Sequence, residues 1–445
     1  MKRPVLTSSL AVIGLTLLLG AVFKLSAFAR EAFITSRFGL SSVTDAYFAL
    51  QQLPLTAASY MFGPFSRAFT PAYSESWKKE GRVEWLGGLM FYGFLIALAL
   101  TLLSFAFAPQ ILRLFTRSDS RETLATLSIC YLPIAFIGFR AATWTSFGKN
   151  LWSLTVTGLP YLVMTLVLIG MYLAGSMGNL SLPTSMSAGF VCVGLVSLAG
   201  VIQTERPFRK ATHFFRPWKR PAFRRFTSQL TASSIETFGF SANQFMMLYF
   251  MARAGTGAIS ANNCATRIGM LGYSVFAQPL VQLLQARLCG SVRGDERTLA
   301  RRYTLSLALG ASTFAAALYL FRYPVVSLVY LRGSFSGTAL EEVVHILPAW
   351  LCYFVVLCSN TIISQYMFHA SKGYQYTRNM LVGYLGTNIL RFTTAHGADP
   401  SWIIWCGVIA EGGAFVVNFL TPADPLKHTP TPDSAALVTA DGFAD

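Results

Sequence analysis

The chain has 445 residues, of which 53% are hydrophobic and only 12% charged, and its mean hydropathy is +0.50. Because a soluble domain carries about 25% charged residues, this composition excludes a soluble class, and the long continuous apolar runs exclude an outer-membrane barrel. A net charge of +16 would suggest nucleic-acid binding in a soluble protein, but here the basic residues lie mostly in short loops, as the positive-inside rule describes. We therefore predict an all-α, polytopic membrane protein that binds no nucleic acid.

The hydropathy pattern predicts about twelve helices that cross the membrane, since each crossing needs about 20 apolar residues. The predicted spans are 6–36, 44–71, 85–108, 123–147, 151–174, 183–203, 226–252, 257–287, 303–322, 341–370, 376–392 and 401–420. We group them into an N-lobe (1–204), a basic cytoplasmic linker (205–225) and a C-lobe (226–420), followed by a disordered cytoplasmic tail (421–445). The two six-helix lobes carry faintly similar loop patterns, which is typical of transporters built from repeats.

The distribution of basic residues sets the predicted orientation. Lysines and arginines concentrate in the loops of one side, most densely in the linker ERPFRKATHFFRPWKRPAFRR, so this side and both termini are predicted to be cytoplasmic. The linker's alternating basic and aromatic residues predict that part of it forms an interfacial helix on the lipid headgroups. The sequence thus predicts a multi-pass protein of the bacterial inner membrane.

Ionisable residues interrupt the apolar sequence of the first two spans. The stretch 24–75 carries Lys24, Arg30, Glu31 and Asp45 among its charges. Such groups cost roughly several kcal/mol at membrane depth, so they usually face a wet cavity or a partner. Lys24 and Arg30 are six residues apart, about 240° around a straight helix, so a shared cavity requires a bend in the first span. We predict that this stretch lines a polar cavity.

The sequence contains no pattern typical of an enzyme. The seven cysteines have no CxxC spacing, the five histidines are scattered, and there is no phosphate-binding loop or GxSxG motif. We therefore predict that the protein is not an enzyme and holds no metal or resident cofactor.

Three blocks of sequence carry a family resemblance. They are AFAREAF…RFGLSSVTDAYFALQQLP…GPFSRAFTPAYSE, then GAISANNCATRIGMLGYSVFAQPLVQLLQARL, and then LVYLRGSFSGTALEEVVHILPAW…YQYTRN. They resemble, in this order, the first two helices, the eighth helix and the ninth-to-tenth region of the MurJ/MviN lipid II flippases. That family belongs to the multidrug/oligosaccharidyl-lipid/polysaccharide exporter superfamily. The resemblance covers most of residues 5–390.

The resemblance implies a V-shaped, two-lobed transporter, similar to the MATE exporters, that flips a polyprenyl-diphosphate-linked sugar by alternating access. Its cationic chamber residues match Arg30 in FARE and Arg267 in CATRIG, and Lys24 stands where the family has another arginine. Because arginine grips phosphate oxygens with two hydrogen bonds, we predict that these three side chains bind the substrate. In the alternative interpretation, Arg30 only neutralises a neighbouring acid and Lys24 reaches out of the apolar layer.

The same resemblance implies gate and ion-coupling residues. Glu31 and Asp45 are predicted gate residues. Asp45, the acid of the TDA motif, either pairs with a chamber arginine at the outer gate or caps its own helix. Family members place a sodium ion between the seventh, eleventh and twelfth helices, which makes Glu236, Asn379 and Asn388 candidates for Na⁺ or H⁺ coupling. In the alternative interpretation, Glu236 is a buried protonated acid.

The sequence departs from the family in ways that leave the substrate open. After Pro54 it reads LTAASYM without the family's arginine, Phe62-Gly63-Pro64 replaces a Glu-Gly pair, and the chain has room for twelve helices rather than fourteen. The predicted substrate is therefore lipid II or an exopolysaccharide or capsule precursor, with glycosyltransferases or polymerases of the same pathway as partners. The alternatives are an ion-coupled small-molecule exporter of the same superfamily, or a scaffold of a polysaccharide assembly complex that transports nothing.

Overall fold

The computed structural model describes residues 4–80, 85–115, 120–147, 149–205, 221–273, 296–369, 372–394 and 399–421. Within these ranges every regular element is helical. The first half of the chain contains α1 (Pro4–Phe38), α2 (Ser42–Tyr60), a π-helical turn (Met61–Phe65), α3 (Ser66–Glu80), α4 (Leu86–Ala106), α5 (Ala108–Phe115), α6 (Arg121–Ser128), α7 (Tyr131–Ser146), α8 (Asn150–Leu173) and α9 (Ser181–Glu205). The second half contains α10 (Pro221–Ala254), α11 (258–273), α12 (Glu296–Leu320), α13 (Arg322–Tyr330), α14 (Gly337–His369), α15 (Gly373–Thr394) and α16 (Pro400–Leu420).

Each of the twelve predicted spans contains a helical segment of the described ranges, and residues 274–287 of the eighth span lie outside those ranges. The predicted all-α fold is confirmed. Seven of these segments are long and apolar enough to cross a membrane by length and composition alone. The others, including α1, α10 and α15, carry more polar and charged residues along their length. Side chains from these more polar helices form the ion pairs described below.

Some predicted boundaries differ from the structure. Glu205 ends α9 and Pro221 begins α10, so residues 221–225 of the predicted linker are helical. Proline is favoured at a helix start because it has no backbone N–H, and an N–H in the first turn would have no intrahelical acceptor. The predicted interfacial helix in residues 206–220 and the predicted disordered tail from residue 422 lie outside the described residues.

The second span is interrupted by the π-helical turn. Gly63 and Pro64 lie in this turn, between the α-helical segments α2 and α3. Proline cannot donate a backbone hydrogen bond, and its ring clashes with the preceding turn of an α-helix. A π-helical turn, which carries one extra residue, relieves that clash without ending the helix.

The two halves of the chain each pack mainly within themselves. In the first half α8 contacts α1, α7 and α9, and in the second half α14 contacts α12, α15 and α16. The halves meet through α10, which lies against α2, the π-helical turn and α3, and through α1, which contacts α13. We call Phe65, Phe69, Trp85, Phe139 and Phe226 the aromatic cluster; it brings Phe226 of α10 among rings of the first half, with centroids 5.6 Å from Phe65 and 5.9 Å from Trp85. Aromatic packing therefore joins the two halves where α10 meets α3 and the π-helical turn.

Candidate functional site

One carboxylate, Glu31, joins arginines from both halves. Glu31 lies in α1 with its side chain 1% exposed, and Arg30 Nη2 lies 3.2 Å from its Oε1. Arg267 of α11 forms an ion pair with Oε2 of Glu31, and Asn263 of α11 donates a hydrogen bond of 2.9 Å to the same oxygen. Because a buried charge needs paired and hydrogen-bonded neighbours, this arrangement holds α1 and α11 together.

The predicted substrate-binding residues differ in their accessibility. Arg30 is only 2% exposed; its Nη1 contacts the Met164 sulfur at 2.7 Å, and its guanidinium lies 6.0 Å from the centre of the Tyr161 ring. Arg267 is 29% exposed, and Lys24 is exposed and within electrostatic reach of Arg267. Arg30 therefore neutralises Glu31 in this conformation, while Arg267 and Lys24 face the accessible side of the cluster.

The four ionisable groups Lys24, Arg30, Glu31 and Arg267 carry three positive charges and one negative charge. Lys24 and Arg30 differ in exposure, as their six-residue spacing on the continuous helix α1 predicts. Such an excess of positive charge suits an anion rather than an organic cation.

Asp45 joins the two halves at a second place. Its Oδ2 accepts a 2.6 Å hydrogen bond from the Gly257 amide, and its Oδ1 accepts hydrogen bonds of 2.8 and 2.6 Å from the amide and hydroxyl of Ser260. These groups belong to the N-terminal turn of α11, where unpaired N–H groups and the helix dipole favour a carboxylate. Asp45 thus caps a helix of the other half, whereas its own helix is capped by Ser41.

Backbone contacts continue this junction. We call Ser36, Gly39, Gly257, Gly333 and Ser334 the glycine seam. The three glycines have φ values of +65°, +92° and +61°, and the Ser334 amide donates a 2.6 Å hydrogen bond to the Ser36 carbonyl. A Cβ atom on Gly39 would lie 2.9 Å from the Ser334 carbonyl oxygen, and one on Gly333 would overlap the Ser36 carbonyl. The seam therefore requires glycine both for backbone conformation and for close approach.

A polar cavity of about 260 Å³ lies inside the second half. Glu236 of α10, Asn360 of α14, Tyr376 of α15 and Glu411 of α16 contribute to its wall. Asn360 is buried, and its Oδ1 atom has no hydrogen-bond partner among the described residues. A buried acceptor without a donor is uncommon, so the cavity has room and polar groups for a small positively charged or protic occupant.

The three predicted ion-coupling residues are not gathered in one place. Glu236 lines the cavity, but Asn379 and Asn388 are not among its lining residues. Asn379 donates a 2.8 Å hydrogen bond to Asn418, and Asn388 accepts one of 3.4 Å from Arg391. The structure thus brings only Glu236 of the three to this cavity, together with Glu411.

These observations define a class of protein: a multi-pass helical membrane protein with ionisable residues buried between its two halves. The family model described as "Lipid II flippase MurJ" matches residues 34–389, and the chain belongs to that family. The predicted family resemblance is thereby confirmed, and the chain is a multi-pass protein of the inner membrane.

Two curated relatives carry the name "Probable lipid II flippase MurJ". One, from Rhizobium meliloti (strain 1021), is 26% identical over 348 residues, which cover 74% of this chain and 64% of the relative. The other, from Aquifex aeolicus (strain VF5), is 26% identical over 359 residues, which cover 75% of this chain and 66% of the relative. The chain thus matches slightly less than two thirds of the length of each.

Solved structures with the same fold include two kinds of transporter. A lipid II flippase MurJ in an inward closed conformation matches with a TM-score of 0.78 and 18% identity, over 91% of this chain and 86% of that chain. An inward-facing multidrug resistance MATE transporter matches with a TM-score of 0.68 and 15% identity, over 91% and 92% of the two chains. The predicted MurJ/MATE-like architecture is confirmed by these matches.

Proposed function

We propose that the chain flips a polyprenyl-diphosphate-linked oligosaccharide, either lipid II or an exopolysaccharide or capsule precursor, across the inner membrane by alternating access. The family supports this proposal, and so do the names of the curated relatives. The observation that carries it is the pair of arginines from opposite halves on the single carboxylate of Glu31. A diphosphate offers those arginines more negative charge than Glu31 does.

We propose that the gate is controlled by competition between Glu31 and the lipid diphosphate for Arg267. In this conformation Glu31 holds Arg267 and so joins α1 to α11. A lipid diphosphate that binds Arg267 and Lys24 weakens this bridge, and a ligand shifts a conformational equilibrium only through such differential contacts. We propose that the glycine seam, with Asp45, faces the outer side and opens when the bridge is released. Both termini then lie in the cytoplasm.

Depletion of the protein from its native cells tests the proposed function. We expect one lipid-diphosphate-linked sugar to accumulate on the cytoplasmic leaflet and to clear when the wild-type gene is restored. Accumulation of lipid II with lysis identifies a peptidoglycan flippase, whereas normal lipid II with loss of a surface polysaccharide identifies a polymer-specific one.

Two other outcomes contradict the proposal. An altered drug susceptibility with unchanged lipid-linked sugars would indicate a small-molecule exporter. Full polymer production by variants that lack the charges of Arg267 and Lys24 would indicate a scaffold, with glycosyltransferases or polymerases as its partners. The chemistry proposed here is transport alone, without an enzymatic step.

We further propose that the cavity of the second half couples transport to an ion gradient, with Glu236 as the group that takes up Na⁺ or H⁺. The cavity is polar and lies apart from the Glu31 bridge. Its Asn360 oxygen accepts no hydrogen bond from any residue that the structure describes. An ion bound in the cavity stabilises the conformation in which α10, α14, α15 and α16 enclose it. Ion binding at this site therefore shifts the equilibrium between the open and closed states of the distant gate.

Replacing Glu236 with glutamine should remove the stimulation of transport by an ion gradient. We expect the gradient-driven rate in membrane vesicles to fall by about tenfold, the size of a typical coupling between sites, while the rate without a gradient changes little. Glu341→Gln, which alters an exposed acid of the same half, serves as the control. Equal stimulation of the Glu236→Gln variant and the wild type by Na⁺ and pH gradients would contradict this assignment.

A further inference from the structure

A second buried ion network lies in the second half, apart from the proposed substrate-binding cluster. Arg391 of α15 is 2% exposed and Glu411 of α16 is 4% exposed. Neither residue is among the site residues predicted from the sequence. Buried charges of opposite sign require compensation, because an isolated ion in a protein interior is strongly destabilising. Their partners therefore decide what the network does.

Asn243 of α10 connects the two charges. Arg391 Nη1 donates hydrogen bonds of 2.7 Å to the Asn243 side-chain oxygen and 3.1 Å to its carbonyl. The Asn243 Nδ2 group donates a 2.7 Å hydrogen bond to Oε1 of Glu411, and Tyr353 donates one of 2.7 Å to Oε2. Both carboxylate oxygens of Glu411 thus accept a hydrogen bond. The Asn243 side-chain oxygen faces the Arg391 donor, and its nitrogen faces the Glu411 acceptor. Rotating the amide by 180° would exchange the two atoms and break both side-chain hydrogen bonds.

The guanidinium and the carboxylate also lie close to each other. A Cβ atom on Gly407 would be 3.6 Å from Glu411 Oε1 and 3.7 Å from Arg391 Nη2. Both groups therefore face the same small residue of α16. Arg391 is fixed further by its Nε, which donates a 3.0 Å hydrogen bond to the Ile403 carbonyl. The chain itself therefore holds the positive charge near Glu411, with the Asn243 side chain hydrogen-bonded to both groups.

We propose that Arg391 is a tethered counter-cation that occupies the place of an exchangeable cation at Glu411. Among the described residues, the groups that face Glu411 include Asn243 of α10, Tyr353 of α14, and Tyr376, Tyr384 and Arg391 of α15. Of these, Arg391 alone carries a fixed positive charge. Arg391 is thus a positioning residue, and removing its charge creates a cation site at Glu411. This inference concerns cation binding and does not depend on the transported substrate.

Thermal unfolding of the purified protein in sodium chloride and in choline chloride tests the inference. All variants carry Glu236→Gln, which removes the other carboxylate of the cavity. In this background we expect no difference in Tm between the two salts. Adding Arg391→Gln should lower Tm by about 10 °C in choline, because it leaves a buried carboxylate unpaired. Sodium should restore about 5 °C of this loss, because the new site binds it.

Two further variants separate charge balance from a simple loss of packing. Arg391→Lys keeps the charge, so its Tm should be the same in sodium and in choline. Arg391→Gln combined with Glu411→Gln should recover most of the lost Tm, and its Tm should also be the same in the two salts. A double variant as unstable as the Arg391→Gln variant would overturn the inference, and so would a double variant that cannot be purified. A sodium response in the Glu236→Gln parent that disappears with Glu411→Gln would also overturn it, since Glu411 would then bind a cation despite Arg391.

Discussion

Replacing Arg267 with alanine is expected to reduce transport by about 100-fold while the protein still inserts into the membrane. The change removes the accessible guanidinium of the cluster and the bridge from α11 to Glu31. Hydrogen bonds to charged groups contribute about 1.5–3 kcal/mol, and a factor of ten in rate or affinity corresponds to about 1.4 kcal/mol. Transport of a lipid-linked sugar into the outer leaflet of membrane vesicles is the measurement.

Two variants control this prediction. Arg267→Lys keeps the charge but loses the planar pair of donors, so we expect intermediate transport. Arg253→Ala removes an exposed arginine of the same half and should transport like the wild type. Wild-type transport by the Arg267→Ala variant would remove Arg267 from the proposed site.

Replacing Gly333 with alanine is expected to prevent closure of the glycine seam. An alanine at φ +61° costs about 1–2 kcal/mol in backbone strain, and its Cβ would overlap the Ser36 carbonyl. The closed population should therefore fall by about tenfold or more, and transport should fall with it. Labelling of Ser41→Cys in a cysteine-free background by a thiol reagent that does not cross the membrane should increase.

Gly337→Ala is the matched control for the seam. Gly337 lies four residues from Gly333, has no positive φ, and has no atom within 4 Å of the position where a Cβ would be. Labelling and transport should therefore match those of the wild type. Unchanged labelling of the Gly333→Ala variant would contradict the proposed gate.

The helical architecture was predictable because crossing an apolar layer leaves a long, local signal in the sequence. The proximity of Arg30 and Arg267 could be predicted from the family resemblance, although the two residues are far apart in the chain. Their unequal burial was not predictable, because it depends on α8, which brings Met164 and Tyr161 against Arg30. The hydropathy of α1 does not reveal which of its side chains α8 will bury.

The remaining features leave little local signal. Arg391 looked like one of the basic residues near a helix end, and its partner Asn243 lies 148 positions away. The glycines of the seam resemble ordinary loop glycines, since sequence does not give φ. Asp45 lies in the first turn of a helix, as acidic residues commonly do, yet the helix that it caps begins more than 200 residues later.

The π-helical turn at Met61–Phe65 has a consequence for the direction of every side chain after it. One extra residue rotates the following part of a helix by about 100° relative to a straight continuation. In this rotated frame Phe69 and Tyr73 of α3 stack on each other at 5.2 Å within the aromatic packing at one end, while Asp45 of α2 reaches α11 at the other. The turn therefore sets the direction in which the side chains of α3 point, independently of the direction in which those of α2 point. A change of chain length at this turn, unlike a change of side chain, acts on all of α3 at once.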